Sequence, residues 1–375
     1  MKRFLYKLFI CGIPVMLYIV IGEYLLYRYK ENVPIQNVAK AQLEMKHESY
    51  YSRYFFDSSP TLYKLEMAKR QQADILVIGR STVLGFRAEM FHPFEKSFYN
   101  MGFAVNSVAD IQAIVDLIKN KQLHKPRLML IGIDAPEIKS GILDHLNTVD
   151  KPHEDEVYDI KMHFLAFQLL TRELYAKNPT NVLLNRQVGF GYLGNIGQGF
   201  RKDGSLLEAI LISRSNFHPV YNDHGYYEQL LNNKVYPLDY PYKINNLLKR
   251  NLLHCLADIK KLGITPIIFF PPISNDFYKY FNRNKDFRNY FENYLMFQKE
   301  LMRMKYQVIP FTTPKDMGLN DNYMQDAIHP GEVLVGRIWY HFLQSGALNP
   351  IDIKIDTAYL NRMLTAKNSA PIVYD

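Results

Sequence analysis

The sequence predicts an α/β fold, a three-layer α/β/α sandwich on a mainly parallel central sheet, preceded by one N-terminal transmembrane helix. Three observations predict it. Short, continuously apolar runs alternate with segments whose apolar residues recur at helical spacing, as expected of a parallel sheet covered on both faces. The runs end on turn-forming residues: Gly79, Asp134-Ala135-Pro136 and Pro271-Pro272. An uncharged stretch from Leu8 to Gly22 opens the chain.

That stretch continues through Leu25-Leu26-Tyr27, giving roughly 20 residues, the length that crosses a bilayer. Glu23 interrupts it near one end, where a carboxylate reaches the headgroup layer at modest cost. Lys2, Arg3 and Lys7 precede the span, and Arg28, Lys30 and Glu31 follow it, a balance that favours the N-terminus inside. A cleaved signal peptide needs small residues at the cleavage site, and bulky Tyr and Leu follow Gly22 instead. A buried core helix of a cytoplasmic protein is the remaining alternative.

The organisation expected is an anchor over 1–30, a juxtamembrane connector over 31–73, an α/β domain over 74–345 with an insertion at about 140–240, and a tail over 346–375. Within the connector, Pro60-Thr61-Leu62 opens a helix to about Gln72. Strands are expected at Asp74–Ile78, Arg127–Ile133, Thr265–Phe270 and Tyr306–Pro310. Helices are expected at Val108–Lys121, Tyr242–Leu262, Phe287–Met304 and Gly331–Leu343. In the first of these Ile111, Ile114, Val115 and Ile118 share a face; the second stops at Gly263, a helix-terminating residue.

The insertion breaks the alternation. It holds one helical pattern, about Glu156 to Ala176, then Gly189, Gly191, Gly194, Gly197 and Gly199, then Arg201-Lys202-Asp203-Gly204 and a Tyr/His segment from His218 to Tyr227. No Gly-Lys-Ser/Thr follows the glycines, so they are not read as a phosphate loop. The insertion is read as loops at the site's edge, suited to a lid or substrate wall.

Composition narrows the function. The chain has 375 residues, 48% hydrophobic and 22% charged, which fits one large folded domain and argues against general disorder. A net charge of +8 fits either a basic surface or attraction to an anionic membrane or acidic glycan. No arginine-rich run or nucleic-acid module is evident, so nucleic acid is not an expected partner. Cys11 and Cys255 lie in unrelated segments and are not expected to pair. His92, His124, His145, His153, His163, His218, His224 and His254 show no metal-ligand spacing, and no metal or cofactor is expected.

The chemistry is concentrated in Gly79-Arg80-Ser81-Thr82 and Asp326-Ala327-Ile328-His329. In parallel sheets, sites form at the carboxyl ends of strands. Ser81 follows the first expected strand, Asp134 the second and Asp326–His329 the fourth, so all belong on one edge. A serine hydroxyl needs a neighbouring base, and that base needs a group to hold its tautomer. Asp326 and His329, three apart, supply both. Taken singly, each motif also fits a structural role: a turn serine, a helix-capping aspartate, a surface histidine.

With those motifs the chain resembles the SGNH (GDSL-like) hydrolase superfamily, whose fold is flavodoxin-like. The resemblance is to its membrane-anchored extracytoplasmic branch, which includes the D-alanyl-lipoteichoic acid biosynthesis membrane protein and polysaccharide O-acetyltransferases. It covers about residues 74–345 and implies Ser81 as nucleophile, Asp326 and His329 as acid and base, and the amides of Ser81 and Gly102, the latter within Asn100-Met101-Gly102, as oxyanion donors. It implies a membrane-anchored acyltransferase, with acetyl the expected group, that acts on a cell-surface glycan or related polymer outside the cytoplasm, with an integral-membrane acyl-donor protein as partner. An esterase or deacetylase with the same triad, and a non-catalytic scaffold, are the alternatives. Two residues depart from the pattern. Arg80 stands where Asp is usual, and Asp134 where an asparagine completes the oxyanion hole. Asn106 is a candidate replacement donor. Arg80 is expected to pair with Asp134 or to bind an anionic group of the substrate, and both are carried as substrate-binding candidates.

Overall fold

The computed structural model describes residues 2–53, 60–134, 160–176, 189–195, 197–207, 244–283, 285–346, 348 and 353–365. The start of the helix expected from Glu156, the Tyr/His segment, and His145, His153, His218 and His224 lie outside the described residues. The fold is mixed α/β, with a parallel sheet and one N-terminal apolar helix. Contacts divide the chain into two units.

The first unit takes the described residues up to Pro60, those from Ile160 to Lys202, and Leu207. Helix Lys2–Tyr29 is long and apolar enough to cross a membrane: its best stretch has a mean hydropathy of 2.2, and none of that stretch is buried. Its last turns do become buried, at Gly22, Leu25, Leu26 and Tyr29, where they pack on helix Ile160–Ala176. Helix Ile35–Glu44 follows. Tyr50–Tyr51 then pairs in parallel with Gly189–Phe190 and antiparallel with Gly199–Phe200, so the glycine-rich stretch is spent on short strands.

The second unit is built on five parallel strands: β1 (Ile75–Gly79), β2 (Phe98–Gly102), β3 (Leu128–Gly132), β4 (Thr265–Phe269) and β5 (Gln307–Ile309). Their order is β2-β1-β3-β4-β5, with every pairing parallel. The sheet therefore reverses its direction of growth at β1, a switch point that opens a crevice between the carboxyl ends of β1 and β3. The sequence pattern missed β2 because Asn100 interrupts its apolar run.

Strand side chains alternate between faces. Ile75, Val77, Leu128, Leu130, Ile267, Phe269 and Ile309 share one buried cluster with Val333, Leu334, Ile338 and Trp339 of helix Glu332–Gln344. Burying one such side chain contributes about 1.5–3 kcal/mol, so this cluster fixes where that helix sits. Helix Thr61–Gln71, read from sequence as connector, belongs to this unit. Helix Thr357–Thr365, in the expected tail, seats Leu360 and Leu364 in the same cluster.

β2 is an edge strand, and an unpaired edge exposes backbone donors and acceptors. Here a short piece of the insertion covers it. Asn100 N donates to Asp203 O at 2.8 Å. The fully buried Lys64 ammonium donates to Asn100 O at 3.0 Å and also to Gly204 O. Asp203 accepts from the Ala88 and Ser205 amides. Gly204 has φ of 82°, and a Cβ there would lie 2.1 Å from Asn100 O. Gly204→Ala is therefore expected to destabilise this unit by about 1–3 kcal/mol, read as a lower denaturation midpoint with an unchanged slope in urea.

Candidate active site

Ser81 follows β1 directly. Gly79 takes φ of 153°, where a Cβ would lie 2.9 Å from Val83 Cγ1, and Arg80 then leads into a 3-10 turn over Ser81–Val83. The start of such a turn presents amides that have no acceptor inside it. Asn100 braces the loop that follows: its Nδ2 donates to Val83 O at 2.8 Å and to Phe86 O at 2.9 Å. It is fully buried, so these bonds replace water it cannot reach.

The His329 loop is held by separate contacts. Met324 bridges Pro330 across its neck, Gln325 N donates to His329 O at 2.8 Å, and Gly331 N donates to Tyr323 O at 2.9 Å. After β4, Ser274 N donates to Ala327 O at 2.9 Å. Asp321 accepts from the Asn275 and Asp276 amides at the start of helix Asn275–Arg283.

These two loops bring the sequence-predicted triad together. Ser81 Oγ lies 2.7 Å from His329 Nε2. His329 Nδ1 lies 2.5 Å from Asp326 Oδ2. Asp326 Oδ1 also accepts from the Ile328 and His329 amides, each at 2.8 Å. A carboxylate facing Nδ1 keeps the proton there, which leaves Nε2 to accept from Ser81. Burial alone would raise the Asp326 pKa. The His329 hydrogen bond and charge, with the two amides, outweigh it and hold the carboxyl below its ordinary range.

Arg80, Thr82 and Asp134 form a second group at the carboxyl ends of β1 and β3. Thr82 Oγ1 donates to Asp134 Oδ1 at 2.9 Å. Arg80 Nε lies 3.9 Å from Asp134 Oδ2, while its Nη1 donates to Asn106 O at 2.9 Å. Tyr294 hydroxyl donates to Ile133 O at 2.7 Å and so fixes the backbone beside Asp134. Burial pushes the Asp134 pKa up, and Arg80, Thr82 and His329 only partly oppose it. Arg80 thus touches Asp134, as the sequence suggested. Thr82, next to the nucleophile, is its closer partner, a role that sequence reading did not assign.

The candidate oxyanion donors are placed differently from one another. Gly102 N donates to Asn100 Oδ1 at 2.7 Å. Asn106 N donates to Asp110 Oδ2 at 2.8 Å at the head of helix Val108–Lys119, and its carbonyl takes Arg80. The Ser81 amide opens the nucleophile turn itself. Among the described residues no group of three or more His, Cys, Asp or Glu side chains stands close enough to hold a metal. A cavity of about 390 Å³ lies beside β5, lined by Val308, Pro310, Met317 and His341, without Ser81 or His329.

Sequence reading also missed a buried ion pair. Arg87, in the loop after the nucleophile turn, lies 3.4 Å from Glu332 and 3.0 Å from Glu89. Glu332 opens the helix that follows His329, so this pair ties the loop after Ser81 to the His329 segment. Its signal was faint: a lone arginine and a lone glutamate 245 positions apart. No family model, curated protein or solved structure matches the chain.

Two outcomes follow from this geometry. Arg87→Met leaves Glu332 buried without its cation and is expected to cost about 3–5 kcal/mol, read by chemical denaturation. The Asp326 carboxyl is depressed in the folded state, so its stabilisation is full above the ordinary aspartate pKa of about 3.9 and fades as pH falls through the lower folded value. Denaturation midpoints of Asp326→Asn should therefore lose pH dependence in that acidic window relative to the parent.

Proposed function

We propose that the chain is a membrane-anchored, SGNH-like O-acyltransferase that moves an acyl group, most simply acetyl, to a cell-surface polysaccharide or related polymer. The Ser81–His329–Asp326 relay carries this reading: a hydroxyl within hydrogen-bond reach of an oriented imidazole, at the carboxyl edge of a parallel sheet. The three-layer sandwich, an anchoring role for helix Lys2–Tyr29, and an active unit outside the cytoplasm belong to the same reading. An integral-membrane acyl donor would supply the ester.

In the first half-reaction Ser81 Oγ bonds to the acyl carbonyl carbon as its proton passes to His329 Nε2. The tetrahedral intermediate collapses, the donor's C–O bond breaks, and Nε2 returns the proton to the leaving oxygen. In the second half an acceptor hydroxyl gives its proton to Nε2 and attacks the acyl-serine. Ser81 then recovers the proton as the new ester leaves. Asp326 stays ionised and orients the ring. The Ser81 amide is one oxyanion donor. Gly102 joins it only by sharing its N–H between Asn100 and the oxyanion.

Arg80 suits an anionic group on donor or acceptor, because its planar fork binds carboxylate or phosphate in two-point fashion. Its Nε lies 3.9 Å from Asp134 and its Nη1 donates to Asn106 O, so a substrate anion would share the guanidinium with these groups.

Two measurements test this proposal. A fluorophosphonate should label the parent at Ser81, and labelling should vanish in Ser81→Ala and His329→Ala and slow by on the order of 10⁴-fold in Asp326→Asn. Undiminished labelling of Ser81→Ala would remove the nucleophile. With an acetyl donor and a glycan acceptor, ester should appear on the glycan; release of free acetate alone would establish a hydrolase in place of a transferase.

A further inference from the structure

We propose that helix Ile160–Ala176 is a second bilayer-contacting element, seated beside the anchor in the leaflet that holds the anchor's C-terminal half. The proposal rests on the reading of helix Lys2–Tyr29 as a membrane span.

The two helices run antiparallel. His163 Nε2 lies 2.6 Å from the Glu23 carboxylate, and Tyr18 hydroxyl lies 3.1 Å from Thr171 Oγ1. Between these ties the Phe167 ring covers Gly22: a Cβ on residue 22 would fall 1.7 Å from its Cε2, so only glycine admits this contact. Phe167 also meets the Tyr18 ring edge-on, with centroids 4.8 Å apart. The contacts therefore track the anchor from Glu23 back to Tyr18, toward the middle of its apolar run.

At 1.5 Å per residue, Tyr175 lies about 6 Å further along than Thr171. If Tyr18 and Gly22 are in the bilayer, most of this helix is alongside them. Its 17 described residues span about 25 Å, most of one ~30 Å hydrocarbon thickness.

Its outward face fits that position. Phe164 is 58% exposed and Tyr175 is 82% exposed, with Gln168 and Arg172 exposed between them. Phe164, level with Glu23, suits the membrane boundary, and a long cationic side chain deeper along the helix can reach back toward it. Helical side chains lean toward the helix N-terminus, which here points to the headgroup layer, so Arg172 is directed outward. His163 gives Glu23, the one acid inside the apolar helix, a partner at that boundary.

The test uses the full chain in phosphatidylcholine vesicles whose acyl chains carry bromine at shallow or deep positions. Phe164→Trp, Tyr175→Trp and the anchor reporter Ile13→Trp are compared by fluorescence. Trp339, the single native tryptophan, is fully buried and stays as a constant background. Both helix reporters should lose at least half of their added emission, Tyr175→Trp more to deep bromine and Phe164→Trp more to shallow bromine. The proposal is overturned if both are quenched by aqueous iodide and not by bromolipid while Ile13→Trp is quenched by bromolipid. Lack of bromolipid quenching at Ile13→Trp removes the anchor itself, and this proposal with it.

Discussion

The structure depends on one convergence: the His329 loop must arrive within 2.7 Å of a hydroxyl 248 positions earlier. That hydrogen bond cannot be what holds the segments together, since its net contribution is about 0.5–1.5 kcal/mol. The stronger forces lie behind it. Leu334, Ile338, Trp339 and Phe342 of helix Glu332–Gln344 are buried on the sheet, and a single one of them outweighs the hydrogen bond. The Arg87–Glu332 pair then sets how that helix meets the nucleophile loop. The Ser81–His329 contact is a consequence of the core, so its geometry is set by groups outside it.

The two carboxylates near His329 show how environment divides similar groups. Asp326 receives a ring nitrogen and two amides, three donors that outweigh its burial. Asp134 receives one threonine hydroxyl at short range and a guanidinium at 3.9 Å, and burial prevails. The carboxyl pKa is therefore lowered at Asp326 and raised at Asp134. Such a split commonly marks distinct roles within one site.

What sequence could reveal followed from periodicity and order. Four of the five strands were legible because each is a short apolar run closed by a turn residue. β2 was not, because its central Asn100 points into a network that only the tertiary structure supplies. The grouping of Ser81, Asp326 and His329 was legible because Ser81 lies just beyond one strand, Asp326 and His329 lie in the segment after the last, and parallel strands share one carboxyl edge. Thr82 and the Arg87–Glu332 pair were not, because their meaning comes from partners on other elements with no sequence spacing to announce them. Helices Thr61–Gln71 and Thr357–Thr365 lay outside the expected domain limits, since composition does not reveal which core an amphipathic face will join.

The insertion makes the same point about placement. As sequence it reads as loops for a lid. Its described residues place one helix against helix Lys2–Tyr29, short strands on Tyr50-Tyr51, and Asp203–Leu206 on the edge of β2. The last contact is the most constrained. Lys64 is fully buried with its ammonium shared between Asn100 O and Gly204 O, and these bonds offset part of the cost of burying it. Displacing Asp203–Leu206 would strip that ammonium of one acceptor and the edge strand of its cover. Because Asn100 also braces the loop after Ser81, the return of Asp203–Leu206 to the sheet supports the Ser81 turn through a single strand.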